Sequence, residues 1–104
     1  MIVEQRDYHV FTGKLPEVVR MYETEGVEIQ QRHLGTFIGA FTTDIGALST
    51  YTALWGYDSY AERERRRAEL QTDDDWKDFL ARLQPLLHAQ QNRILIPTAF
   101  SPLR

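Results

Sequence analysis

The sequence predicts an α+β domain in which a four-stranded antiparallel sheet carries two helices on one face. The chain has 104 residues, the size of a single domain, and 42% of them are hydrophobic, which is enough for one core. Segments rich in β-branched and aromatic residues alternate with stretches whose apolar residues recur at helical spacing. Because no linker, repeat or low-complexity tract interrupts this pattern, residues 1–104 are expected to form one domain.

The first half of the chain predicts a strand, a helix and a second strand. The first strand is expected at Ile2–Phe11, and Pro16 favours a helix start because its missing N–H costs nothing there. This helix either ends at Gly26 or continues to about Arg32, and the second strand follows at about Thr36–Thr43. The apolar face of the helix consists of Leu15, Val18, Val19 and Tyr22.

The second half predicts a hairpin partner, a helical region and a last strand. The third strand is expected at about Ser49–Tyr57, and Ser59 is a favourable N-cap for the helix that follows. Pro85 is expected to end or kink the helical region. The last strand is expected at about Arg93–Phe100, where Pro97 indicates an edge position or a bulge.

The helical region contains an internal restart. Thr72 followed three residues later by Asp75 resembles a capping box, so a second helical stretch is expected there. Its apolar face consists of Trp76, Phe79, Leu80, Leu83 and Leu87. The complete order, β-α-β-β-α-β, is the ferredoxin-like split βαβ arrangement.

The sheet strands predict a partner for the face that the helices leave open. A sheet with one wet face should alternate between apolar and polar residues, but apolar residues stand on both sides of Thr36–Thr43 and dominate Ser49–Tyr57. A second copy of the chain is the simplest cover for such a face. The expected assembly is a homodimer whose two sheets form an eight-stranded dimeric α+β barrel.

Composition excludes several classes of function. The formal net charge is −3 and the isoelectric point is about 5.5, so nucleic-acid binding is not expected. No apolar run reaches the roughly 18 residues that span a membrane, and the N-terminus does not resemble a signal peptide. The chain has no cysteine, which excludes disulfides and thiolate metal sites and fits a cytoplasmic protein.

Metal and cofactor sites are not predicted either. The three histidines, His9, His33 and His88, are far apart and none has the spacing of a metal-ligand motif. The acidic run at residues 73–75 precedes a helical stretch, where carboxylates cap the backbone and complement the helix dipole. No serine has the sequence context of a nucleophile.

Two arginines and two aromatic residues are the candidate ligand-binding residues. Arg63 and Arg67 are four apart and share one helical face, while Trp55 and Tyr57 precede them at the end of a strand. Guanidinium groups beside an aromatic wall could hold a planar anion such as an aromatic acid. The structural alternative is that the arginines cover the rings or pair with neighbouring glutamates.

His33 and Tyr8 are the candidates for acid–base chemistry. His33 lies at a helix-to-strand junction, where a neutral imidazole could act as a general base or simply bond to a free carbonyl at the helix end. Tyr8 and His9 lie on opposite faces of the first strand, so only one of them can face a given pocket.

Short segments along nearly the whole chain resemble the NIPSNAP family in their order and spacing. They are Arg6-Asp7-Tyr8, Gly13-Lys14-Leu15, Leu34-Gly35, Gly39, Thr43-Asp44-Ile45-Gly46, Leu54-Trp55-Gly56-Tyr57, Arg63, Arg67, Trp76, Ile94-Leu95-Ile96-Pro97 and Phe100-Ser101-Pro102. The resemblance implies the dimeric α+β barrel fold. It implies little about activity, because the family has no agreed enzymatic reaction and its mitochondrial animal members are linked to membrane traffic and quality control. The chain resembles a stand-alone bacterial version without a targeting extension.

These observations favour a homodimeric protein that binds a small hydrophobic, anionic molecule. The superfamily implied by the resemblance includes cofactor-independent monooxygenases and isomerases, so an enzyme of that kind is one form of this hypothesis. The alternative is a protein-interaction module without chemistry. A filled interior between sheet and helices would favour the module, and a cavity would favour a ligand.

Overall fold

The computed structural model describes all 104 residues and confirms the α+β class. One sheet contains four strands, all antiparallel to their neighbours, in the order β2-β3-β1-β4. The strands are β1 (Ile2–Val10), β2 (Thr36–Thr42), β3 (Thr50–Tyr57) and β4 (Leu87–Leu95). This is the ferredoxin-like order that the sequence predicts.

The helices occupy one face of the sheet. They are α1 (Leu15–Met21), α2 (Val27–Gln31), α3 (Tyr60–Gln71) and α4 (Asp74–Leu83). A π-helical segment, Tyr22–Gly26, joins α1 to α2, so the first helical region continues past Gly26 instead of ending there. None of these helices combines the length and the apolar character required to cross a membrane.

The N-cap of α3 is the predicted residue, and the N-cap of α4 is not. The Ser59 hydroxyl accepts a hydrogen bond from the backbone N–H of Glu62 at 3.1 Å, as an N-cap does. The cap of α4 is Asp73 and not Thr72, because the Asp73 carboxylate accepts from the backbone N–H of Asp75 at 2.8 Å. A 3₁₀ turn at Gln84–Leu86 follows α4. It contains Pro85, so the helical region ends where the sequence predicts.

The expected position of the last strand, Arg93–Phe100, is wrong. β4 spans Leu87–Leu95 and pairs with β1 from Val3 to Val10. The apolar run Ile94-Leu95-Ile96 suggested a later strand, but ladder hydrogen bonds come from the backbone and need no apolar side chains at an exposed edge. Most of β4 is exposed to solvent, and Pro97 lies just beyond its end.

The aromatic side chains of β3 lie on one face of the sheet only. The large residues of β3, Tyr51, Trp55 and Tyr57, are buried on the face that the helices cover. On the opposite face, Thr52 donates a hydrogen bond to Asp7 at 2.7 Å, so polar side chains occupy the middle of that face. The open face therefore mixes polar side chains with apolar ones, and Phe41 and Leu95 on it are exposed.

Candidate functional site

A cleft of about 260 Å³ lies between the β1–β4 side of the sheet and the helices α3 and α4. Two arginines, Arg6 and Arg67, line it together with two tyrosines, a tryptophan, three leucines and three glutamines. No carboxylate lines the cleft, although the chain contains 15 aspartates and glutamates. The cleft therefore combines positive charge with apolar and neutral polar side chains.

A buried carboxylate fixes the arginines at the base of the site. Glu4 is fully buried, and its Oε2 accepts from Arg63 Nη2 at 2.7 Å and from Arg6 Nη1 at 3.0 Å. Burial alone would raise the pKa of Glu4, but the hydrogen bond from Arg63 and the nearby arginine charges together hold this pKa below its ordinary value. Glu4 is thus an anion at neutral pH, shared by two guanidinium groups.

Arg6 connects this carboxylate to the cleft. Burial lowers the pKa of Arg6, but its contacts with Tyr8 and Glu4 outweigh burial and raise that pKa above its ordinary value. Its Nε donates to the Tyr8 hydroxyl oxygen at 2.7 Å. Because that oxygen accepts from Arg6, the hydrogen of Tyr8 is free to donate to another group.

Arg67 is the cation of the site without an ion-pair partner. It is half-buried on α3 and takes part in none of the ion pairs of the structure, and its neighbour is the neutral hydroxyl of Tyr57. The carboxylate within its electrostatic reach, Glu4, already serves Arg6 and Arg63. Three arginines therefore face one carboxylate, and an anion in the cleft would compensate part of this excess charge.

Two further polar groups of the cleft also lack partners. The Tyr22 hydroxyl and the Trp76 indole N–H are buried without a hydrogen bond, and both residues line the cleft. The π-helical segment presents Tyr22, whose ring stacks on Tyr51 at 4.4 Å between centroids. Burial raises the pKa of Tyr22 well above its ordinary value, so its phenol stays protonated.

The structure brings together four of the six residues that the sequence singled out. Tyr8 and Arg67 line the cleft, and Arg63 lies behind it on Glu4. Trp55 is fully buried against Phe37, with ring centroids 4.8 Å apart, and does not line the cleft. The ring of Tyr57 lines a second cleft of about 210 Å³, which also contains carboxylates, but its hydroxyl lies beside Arg67 and near Arg63.

His33 lies apart from these groups. Its Nε2 is 2.7 Å from the Asp73 carboxylate, and this contact joins the end of α2 to the start of α4. The hydrogen bond from His33 holds the pKa of Asp73 below its ordinary value. No group of three or more side chains is arranged to hold a metal ion, here or elsewhere in the structure.

Sequence reasoning missed Glu4, Arg6, Tyr22 and Trp76 as site residues. The sequence of β1 contained a signal for the first two. Glu4 and Arg6 lie on the same strand face as the apolar Ile2 and Val10, between them. Charged residues on a core-facing side indicate a buried polar network, because an isolated buried charge is too costly. Tyr22 and Trp76 carried no such signal, since their spacing also fits an ordinary helix core.

Comparisons with known proteins agree with this architecture. The NIPSNAP family model matches residues 3–102. Protein NipSnap homolog 1 of Danio rerio is 28% identical over 103 residues, which are 99% of this chain and 36% of that protein, so the chain spans about a third of its relative.

Solved structures extend the comparison. A NIPSNAP family protein from Agrobacterium tumefaciens is 47% identical, with a TM-score of 0.96 over 99% of this chain and 98% of that one. A putative antibiotic biosynthesis monooxygenase from Nitrosomonas europaea has a TM-score of 0.70 at 8% identity, over 93% of this chain and 98% of that one. At this low identity the second likeness shows a shared fold and nothing about activity.

Proposed function

The chain belongs to the NIPSNAP family, and we propose that it is a homodimeric protein that binds a small, hydrophobic, anionic molecule in the cleft. One observation carries this proposal: Arg6 and Arg67 line the cleft without any carboxylate, and Arg67 takes part in no ion pair. A half-buried guanidinium without a counter-ion is costly unless it binds an anion or water. A bound carboxylate is the ligand group that fits its planar fork best.

The rest of the cleft supports an apolar body for this ligand. Leu80, Leu83 and Leu87 line it, and Tyr8 and Trp76 add aromatic surface. A volume of about 260 Å³ is small for a ligand site and suits a molecule with one or two rings. Arg67 and Arg6 hold the charge in this proposal, while Arg63, which the sequence analysis paired with Arg67, positions Glu4 from behind.

The proposal extends to chemistry through Tyr8. Its hydroxyl accepts from Arg6 at 2.7 Å inside the cleft, so it can donate a proton to a bound ligand while the guanidinium stabilises the tyrosinate that forms. A cofactor-independent isomerisation would use this proton transfer, and an oxygenation would also require molecular oxygen as the oxidant. His33 is the weaker candidate for this step, because it bonds to Asp73 away from the cleft.

The homodimer rests on apolar side chains of the open sheet face and its margin. Phe41 and Leu95 on the sheet are 56% and 40% exposed, and Ile96 just after β4 is 65% exposed. Burying such residues against the same surface of a second copy would give the eight-stranded barrel. A cytoplasmic location completes the proposal and is consistent with a chain that contains no cysteine.

Titration with 1-naphthoate, followed by calorimetry, tests the cleft. Arg67→Leu should weaken binding of the acid by at least about tenfold, since a hydrogen bond to a charged group contributes about 1.5–3 kcal/mol. It should leave the neutral 1-naphthamide unaffected. The matched control is Arg65→Leu, which removes an arginine that pairs with Glu62 and Glu69 on the outside of α3. Equal affinity of the wild type and Arg67→Leu for the acid would refute the proposal.

The double variant Arg63→Leu/Arg67→Leu separates the site from the assembly. It should lose 1-naphthoate binding and remain a dimer in a native mass spectrum. A wild-type dimer that binds no aromatic acid would favour the interaction module, and a wild-type monomer at micromolar concentration would refute the barrel.

A further inference from the structure

The strands place one carboxylate and one guanidinium on the open face of the sheet. Apart from histidines, the charged residues of the four strands are Glu4, Arg6, Asp7 and Arg93. Glu4 and Arg6 pair on the face that the helices cover. Asp7 alternates with them along β1 and therefore lies on the open face. Arg93 is opposite Gln5 in the β1–β4 register, so it points to the same side as Gln5 and shares the open face with Asp7.

These two charges have no counter-ion within the chain. The half-buried Asp7 carboxylate accepts from the Thr52 hydroxyl at 2.7 Å and from the Gln5 amide, and both of these donors are neutral. Arg93 is exposed on β4. Neither Asp7 nor Arg93 takes part in any ion pair of the structure. Covering this face would therefore leave two uncompensated charges unless the covering surface supplied their partners.

The open face is large enough for a stable interface. One helix layer on one sheet makes the molecule a slab of 40 × 35 × 20 Å, and its radius of gyration of 14.0 Å exceeds the roughly 13 Å of a compact domain of this length. Covering half of the broad side would bury about 700 Å² of each copy, near the roughly 800 Å² per partner of a standard interface.

We propose that a second copy of the chain covers the open face and that Asp7 of each copy pairs with the partner's Arg93. This inference rests on the homodimer of the proposed function and adds the contact that sets the register of its two sheets. A face with one charge of each sign is complementary to itself, so a two-fold axis makes the same ion pair twice and leaves neither charge over. Facing sheets pack about 10 Å apart, a gap that an arginine side chain spans. Phe41 and Leu95 on the same face exclude water from the interface, which strengthens the attraction.

Charge reversal at each position, followed by native mass spectrometry of the full-length protein, tests this pairing. In Asp7→Arg the introduced guanidinium would face the partner's Arg93 at two places in the dimer, and in Arg93→Asp two carboxylates would meet in the same way. Each variant should dimerise at least about a hundredfold more weakly than the wild type, because like charges placed together in an interface are strongly unfavourable.

A mixture of the two variants distinguishes pairing between chains from pairing within one chain. In the heterodimer of Asp7→Arg with Arg93→Asp, both contacts between the chains join opposite charges, so the mixture should form this heterodimer in preference to either homodimer. If the two side chains paired within one chain, each variant would keep its own repulsion and mixing would restore nothing.

Glu64→Arg and Arg20→Asp are the matched controls. They change the net charge by the same amounts at exposed positions of α3 and α1, in the layer of helices. Each should remain a homodimer, and their mixture should give homodimers and heterodimer in statistical proportion. Thermal unfolding of all four variants shows that a loss of the dimer does not reflect a loss of the fold.

The outcomes separate this inference from the homodimer itself. A wild-type monomer at micromolar concentration would refute both. A wild-type dimer with single variants that dimerise equally well would refute the ion pair and leave the homodimer standing. Single variants that become monomeric, and whose mixture also stays monomeric, would show that the two charges do not meet between the chains, and the inference would be wrong.

Discussion

Replacing Glu4 by glutamine should destabilise the fold more than any other single change of one carboxylate. Glu4 is fully buried, and its Oε2 holds Arg63 at 2.7 Å and Arg6 at 3.0 Å. Breaking a buried ion pair costs about 3–5 kcal/mol because the remaining charge is left uncompensated. The cost is smaller here, since the Arg63 side chain is 25% exposed and glutamine keeps one acceptor oxygen. We expect a loss of about 2–3 kcal/mol.

Urea unfolding at pH 7 and fixed protein concentration measures this loss. For a domain of this size the change corresponds to a fall of roughly 10–20 °C in the melting temperature. Glu64→Gln, at an exposed position of α3, is the matched control and should have little effect. A Glu4→Gln variant within about 0.5 kcal/mol of the wild type would refute the view that this carboxylate organises the arginines.

The same variant predicts a pH dependence. The pKa of Glu4 is lowered in the folded protein, so its ion pairs stabilise the fold at pH values above the unfolded pKa of about 4.3. This contribution disappears as the pH falls through the lowered, folded pKa. The stability difference between wild type and Glu4→Gln should therefore shrink below about pH 4. A difference that stays constant between pH 7 and pH 3 would contradict the assignment.

Three other changes test separate parts of the structure. Gly26→Ala should lower stability by about 1–3 kcal/mol in urea unfolding, because its Cβ would lie 2.6 Å from Phe79 Cζ; wild-type stability would mean that the π-helical segment packs differently. His33→Ala should lower the melting temperature by removing the contact with Asp73, yet leave 1-naphthoate affinity unchanged, and a loss of affinity would return His33 to the site. Phe41→Asp should shift the native mass spectrum towards monomer, and an intact dimer would place the interface elsewhere.

The sequence was sufficient for the order of elements because local signals agreed with the tertiary structure. Ser59 caps a helix, and Pro85 lies in the turn that ends α4. Trp76, Phe79 and Leu83 are buried on one face of α4 as their spacing predicts, whereas Leu87, expected on the same face, begins β4. The last strand was placed too late in the chain because the apolar run Ile94-Leu95-Ile96 was taken as evidence of strand pairing. β4 pairs through its backbone along β1, and its polar side chains face solvent where the helices do not reach.

The candidate site was predictable only in part, because it depends on which side chains the sheet register brings together. Arg63 and Arg67 follow from helical spacing, and Tyr8 from its place in β1. Nothing local shows that Glu4 lies opposite Trp55 and beneath α3, which requires the pairing of β1 with β3. The role of Arg63 as a partner of Glu4, and the absence of an ion pair at Arg67, follow from that register.

A crystal structure of the protein with 1-naphthoate tests the central claim most directly. We predict one acid in the cleft, with a carboxylate oxygen about 3 Å from the Arg67 guanidinium. Density for the acid elsewhere on the protein, with Arg67 unoccupied in a crystal soaked at saturating concentration, would contradict the claim that this cleft is an anion site.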